Sequence, residues 1–140
     1  MALKEVPRGS ETILLVEPDP ETRKLATFML SKQGYTVLEA RSAAEAFQLY
    51  HERGWEVDLL LTETLMSQVN GQELARVLEA KDPRLRVVYI SDTDNRRLTR
   101  RLETRTKPVL VQRPFTMRLL ADKVRQVLDG QQRRAVAAGV

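Results

Sequence analysis

A chain of 140 residues, 42% hydrophobic, 30% charged and 5% aromatic, has the length of one domain, able to bury roughly two thirds of its unfolded surface. With no cysteine and one histidine, disulfides, thiolate metal sites and cysteine nucleophiles are excluded and histidine-based metal or triad chemistry is disfavoured, and no apolar run approaches the ~20 residues of a membrane helix. The net charge of +4 is uneven, with 11 Lys/Arg against 16 Asp/Glu in Met1–Asn95 and 12 against 3 in Arg96–Val140.

Residues 1–10 form an N-terminal extension with Lys4, Glu5 and Arg8 and no apolar core, unlike a secretory signal; the expected location is cytoplasmic. Thr12 to Glu17 is an almost continuous apolar run, the pattern of a strand covered on both faces. Pro18-Asp19-Pro20 follows, with Asp19 placed to cap a helix and Pro20 suited to its first position. Leu25, Phe28 and Met29 then recur at helical spacing, Phe28 and Met29 are read as core, and Gly34 ends the helix.

The cycle repeats along the chain. Tyr35 to Glu39 reads as a short strand, and Ser42-Ala43-Ala44-Glu45 opens a helix through Ala46, Phe47, Leu49 and Tyr50. His51, late in that helix, is read as solvated, and Trp55 as a loop residue at the amino-end side of the sheet. Val57 to Thr62 is a second apolar strand ending at Glu63. Asn70 and Glu73 then cap a helix bearing Leu74, Val77 and Leu78, which Asp82-Pro83 breaks. Leu85 to Ile90 is the fourth strand, ending at Ser91. A fourth helix over about 94–104 carries little apolar stripe beyond Leu98 and Leu102 among Arg96, Arg97, Arg100, Arg101 and Arg105. Pro108 to Gln112 is a short edge strand, since Pro108 lacks a donor. Thr116 caps a last helix with Leu120, Val124, Val127 and Leu128, stopped by Gly130, and residues 130–140 read as a tail or linker stub. Strict alternation of five strands and helices predicts a doubly wound, five-stranded parallel sheet in a three-layer α/β/α arrangement over residues 11–129.

In such a sheet, ligands bind beyond the carboxyl ends of the strands. Those ends deliver Glu17, Pro18 and Asp19 from the first strand, Glu63 from the third, Ser91 from the fourth and Arg113-Pro114 from the fifth. The ordered set Ile13–Glu17, Gly34-Tyr35-Thr36-Val37, Asp58–Glu63, Met66 with Gly71, Ser91 and Arg113-Pro114-Phe115 resembles the receiver domain of bacterial response regulators. The resemblance spans about residues 11–129 and implies the receiver (flavodoxin-like) topology. In that family an Asp at the end of the third strand accepts a phosphoryl group. Acids after the first strand hold Mg²⁺, and a Lys and a Ser or Thr grip the phosphoryl oxygens. An aromatic residue on the fifth strand then swings inward.

This chain departs from that pattern at several positions. The phosphoacceptor position is Glu63, whose extra methylene moves the carboxylate ~1.5 Å outward, enough to impair a reaction in which displacements of about 1 Å cost ~100-fold. Pro18 replaces an acid that binds the metal and offers neither a side-chain ligand nor an amide donor. Asp19 is read as a helix cap facing away from the pocket. Arg113 stands at the Lys position, Leu110 at the aromatic switch position, and Ser67-Gln68 follow Met66 where the family has Pro-Gly; Ser91 keeps the family's chemistry.

The resemblance therefore implies a pseudo-receiver, non-catalytic, with Mg²⁺ binding weak or absent and Glu63 paired directly with Arg113. Glu63 as a mimic of the phosphorylated residue is the alternative to a plain ion pair. The implied partner is a histidine kinase, output domain or scaffold protein, docking on the face of the fourth helix, fifth strand and last helix, with Arg96 to Arg105 at its centre. That face is positive and would repel its twin, so a monomer or weak dimer is expected. Two rivals stand beside this reading: a slow phosphoacceptor using Mg²⁺, and an electrostatic nucleic-acid binder whose affinity would fall steeply with salt. Residues 131–140 are too few for a helix-turn-helix.

Overall fold

A computed structural model of the chain describes residues 5–54, 56–64, 70–92 and 109–138. The apolar runs form strands β1 (Thr12–Val16), β2 (Thr36–Ala40), β3 (Leu59–Glu63), β4 (Arg86–Ser91) and β5 (Val109–Gln112). They make one parallel sheet in the order β2-β1-β3-β4-β5. The helices are α1 (Pro20–Lys32), α2 (Ala43–Glu52), α3 (Gly71–Lys81) and the last helix, α4 (Met117–Ala138). β5 lies at the sheet edge, as expected.

The runs are continuous because both faces of the sheet are covered. Ile13, Leu15, Leu59 and Leu61 point into one core with Ala26 and Leu30 of α1 and Leu120 and Val124 of α4. Leu14, Val16 and Leu60 point into the other, with Ala46 and Tyr50 of α2 and Leu74 and Leu78 of α3. A strand buried on both sides has no polar alternation to show.

Local capping chemistry follows the sequence closely. Asp19 caps α1, accepting from the Thr22 amide at 3.0 Å and the Thr22 hydroxyl at 2.7 Å. Ser42 caps α2 through the Glu45 amide, and Asn70 caps α3 through the Glu73 amide. Gly34 follows α1 with φ +104°, where an L side chain is strained.

Two expectations on the helices are corrected, one on a face and one on an end. Phe28 is not core: it is 59% exposed and Leu25 is 47% exposed, whereas Met29 is partly buried and packs against the core, as expected. The inner stripe of α1 is Ala26 and Leu30, and Phe28 lies two residues, about 200°, from Ala26. The Lys32 ammonium sits 5.5 Å from the Phe28 ring centroid. Phe47 and Val77 likewise face outward on α2 and α3. His51 is exposed.

The second correction concerns Gly130, which does not stop the last helix; α4 continues to Ala138. One glycine disfavours a helix by about 1 kcal/mol, which good helix formers on both sides offset. The predicted fourth helix with Arg96, Arg97, Arg100, Arg101 and Arg105 lies outside the described residues. So do Trp55, Met66, Ser67, Gln68 and Pro108. Among the described residues no helix is long and apolar enough to cross a membrane.

Candidate functional site at the carboxyl ends of the strands

Parallel register brings the ends of β1, β3, β4 and β5 to one rim. Glu17 follows β1 directly, its amide bonded to the Ala40 carbonyl. Glu63 closes β3 in register with Ile90. The Arg113 amide donates to the Ser91 carbonyl at 3.0 Å, which sets the start of its side chain beside β4. The Arg113-Pro114 peptide is cis.

From there the guanidinium reaches three acids. Nη1 lies 3.0 Å from Glu17 Oε1, Nη2 lies 2.6 Å from Glu63 Oε2, and Nε lies 2.9 Å from Asp92 Oδ1. The Glu63 contact is a close ion pair rather than an aligned hydrogen bond. The planar fork explains the multiple contacts, since guanidinium nitrogens diverge in fixed directions that a lysine ammonium lacks. The remaining carboxylate oxygens also have donors: Glu17 Oε2 accepts from the Asp19 amide at 3.1 Å, and Glu63 Oε1 from the Thr64 hydroxyl at 3.2 Å. Glu17 and Glu63 are buried, whereas the Asp92 side chain is 74% exposed.

The expected Glu63–Arg113 pair is therefore present. Asp19 is turned to its capping task, where the Thr22 hydrogen bonds lower its carboxyl pKa. Pro18 sits between the two acids, and its carbonyl, like that of Glu17, accepts from Arg23 Nη1. Ser91 is buried at the end of β4, and Leu110 is buried in register with Tyr89 in the α2–α3 core. Sequence reasoning missed Asp92 and Thr64. Each directly follows a residue already placed at a strand end, and that adjacency was the available signal.

Burial pushes the Glu17 carboxyl up to about 7. Its bond from the Asp19 amide and the charge of Arg113 act the other way, while Glu63 nearby adds to the rise. Burial works against the charge on Arg113, but the Asp92 bond and the charges of Glu63 and Glu17 outweigh it and raise its pKa. A carboxyl whose pKa is raised on folding holds its proton longer in the native state than in the unfolded chain. Its contribution is complete below about pH 4.5 and is lost as pH rises to about 7. The expected decline across that window is on the order of 1–3 kcal/mol. Urea titrations at several pH values should show it, and Glu17→Gln should flatten it; an unchanged slope in that variant would assign the decline to other groups.

This arrangement of strand order and carboxyl-end acids is that of a signalling receiver. The response regulator receiver domain family matches residues 13–125, and the chain belongs to that family. Among curated relatives, it is 32% identical over 123 residues to the sensor kinase CckA of Brucella abortus (strain 2308), covering 88% of this chain and 13% of the kinase. It is 29% identical over 116 residues to the response regulator receiver protein CpdR of the same organism, covering 83% of this chain and 95% of CpdR. Among solved structures, the receiver domain of the hybrid histidine kinase CckA superposes with a TM-score of 0.70 at 27% identity, covering 84% of this chain and 98% of that one. The chain thus spans a small part of one relative and nearly all of another. Receiver domains are two-component signalling modules that interact with histidine kinases and output domains.

Proposed function

We propose that this receiver works without phosphorylation, as a protein-docking module whose strand-end pocket is held by its own ion pairs. The observation that carries the reading is the Arg113 guanidinium set between Glu17 and Glu63, at 3.0 Å and 2.6 Å. Glu63 as a nucleophile would have to release that cation and attack from a longer side chain, at a distance penalty that acyl-phosphate chemistry tolerates poorly. Pro18 leaves the pocket one acid short of the family's usual number, so Mg²⁺ binding is weak or absent in this reading. Docking falls to the Arg96–Arg105 segment with β5 and α4, whose charge suits an acidic protein surface. A histidine kinase, an output domain or a scaffold protein fits that role, with the chain itself a monomer or weak dimer.

Intact mass after incubation with Mg²⁺ and acetyl phosphate tests this directly. The wild type should gain no phosphoryl group, while a Pro18→Asp, Glu63→Asp, Arg113→Lys variant should gain one. Phosphoryl uptake by the wild type would overturn the proposal.

A further inference from the structure

Divalent cations such as Mg²⁺ take oxygen ligands at about 2.0–2.1 Å in near-octahedral geometry. Each carboxylate oxygen of the two buried acids is already engaged, Glu17 by Arg113 and the Asp19 amide, Glu63 by Arg113 and the Thr64 hydroxyl. Among the described residues no group of three His, Cys, Asp or Glu is placed to hold a metal. The pocket as built does not fit the ion that the family's chemistry implies. It nevertheless keeps two inward carboxylates that need a positive charge, and that charge is covalently attached to β5.

From this we infer that Arg113 is a tethered cation that excludes divalent metal ions from the Glu17–Glu63 pair. The inference rests on the phosphorylation-independent reading above and identifies the residue that enforces it. The guanidinium and a divalent ion compete for the same oxygens. The guanidinium holds an advantage because its effective concentration at the site is set by the fold and does not vary with the medium. Removing it leaves two buried carboxylates facing each other across a vacated volume, which a small divalent cation would neutralise more completely than protonation does. A lysine would not reproduce the block in full, since a point charge cannot contact both carboxylates through separate nitrogens while also holding Asp92.

The experiment is a Mn²⁺ titration of the full chain, with free Mn²⁺ read by electron paramagnetic resonance and no phosphodonor present. Wild type, Arg113→Ala, Arg113→Gln and the double variant Arg113→Ala, Glu17→Gln are compared, each checked for fold by circular dichroism. Both single variants should bind Mn²⁺ at least about tenfold more tightly than wild type, and the double variant should lose that gain. Mn²⁺ should also raise the melting temperature of Arg113→Gln and leave that of wild type unchanged, because an ion that binds only the native state stabilises it. If Arg113→Ala does not fold, Arg113→Gln, which retains an amide donor, carries the comparison. Equal binding by wild type and a folded Arg113 variant, at whatever affinity, would overturn the inference. The mass measurement reports phosphoryl transfer and this titration reports ion occupancy, so either proposal can fail alone.

Discussion

Arg113→Ala is expected to lower the unfolding free energy by about 3 kcal/mol at pH 8, because it strips the positive partner from two buried carboxylates. Glu17 and Glu63 are 1% and 5% exposed in their side chains, against 22% for Arg113, so the acids bear the larger share of the desolvation. An intact buried pair contributes little net stability, since desolvation consumes most of the attraction. Breaking it from one side leaves the desolvation uncompensated, and the asymmetry is the source of the large effect. The Asp92 arm adds little, since that carboxylate stays in water whether or not Arg113 is present.

The loss should shrink toward pH 5, where Glu17, whose carboxyl is pushed up to about 7 by burial, is protonated and leaves one charge fewer to orphan. It should also shrink in a Glu17→Gln, Glu63→Gln background, where there is no charge to orphan. Urea unfolding at pH 5 and pH 8 measures both trends. A loss under about 0.5 kcal/mol at pH 8 would mean that water reaches the pair and that Arg113 does not organise the pocket. For a domain with 5–15 kcal/mol of total stability, about 3 kcal/mol is a large fraction.

The second large effect is expected at Gly71, the first residue of α3. Its amide donates to the Thr64 carbonyl at 3.0 Å. A Cβ at this position would collide with the Glu63 carbonyl oxygen and press on the Thr62 methyl group. Alanine is favoured over glycine in a helix interior by up to about 1 kcal/mol, which taken alone predicts stabilisation. The obstacle here is backbone at the end of β3, not the free end of a flexible side chain, and overpacking of this kind costs about 1–3 kcal/mol. The clash should win, with Gly71→Ala destabilised by about 2 kcal/mol net. Because the atom displaced belongs to Glu63, the same variant should loosen the Glu63–Arg113 pair. Chemical denaturation and the nuclear magnetic resonance shift of the Arg113 Nη2 protons, the nitrogen that meets Glu63, together check this. A stabilised Gly71→Ala would show that α3 can move away freely.

Gly71 and Arg113 also mark where reading the chain succeeds and where it stops. β1 and β3 were legible because a strand covered on both faces must be apolar throughout, and few other structures produce a run like Leu59-Leu60-Leu61 between turn signals. Asp19, Ser42 and Asn70 were legible as caps because a cap is a contact between residues three apart, fully encoded in the local sequence. Phe28 was misread for the opposite reason. Helical spacing identifies a candidate stripe, but which side faces the sheet depends on how the helix is rotated, and here Ala26 and Leu30 point inward. Gly130 was misread as a stop because its local penalty is smaller than the combined preference of its neighbours.

The local sequence settles the order of elements, their caps, and the delivery of Glu17, Glu63, Ser91 and Arg113 to strand ends, because strand and turn patterns act over a few residues. The Glu63–Arg113 pair was an expectation implied by the resemblance to receiver domains, and the strand order that brings both residues to one rim came from the structure. Tertiary structure decides that the same guanidinium also holds Glu17, 96 positions earlier in the chain, and Asp92. It likewise decides that Glu17 is buried deeply enough for its carboxyl to titrate at about 7. These outcomes depend on strand register, side-chain reach and the exclusion of water, quantities that exist only once the sheet has assembled.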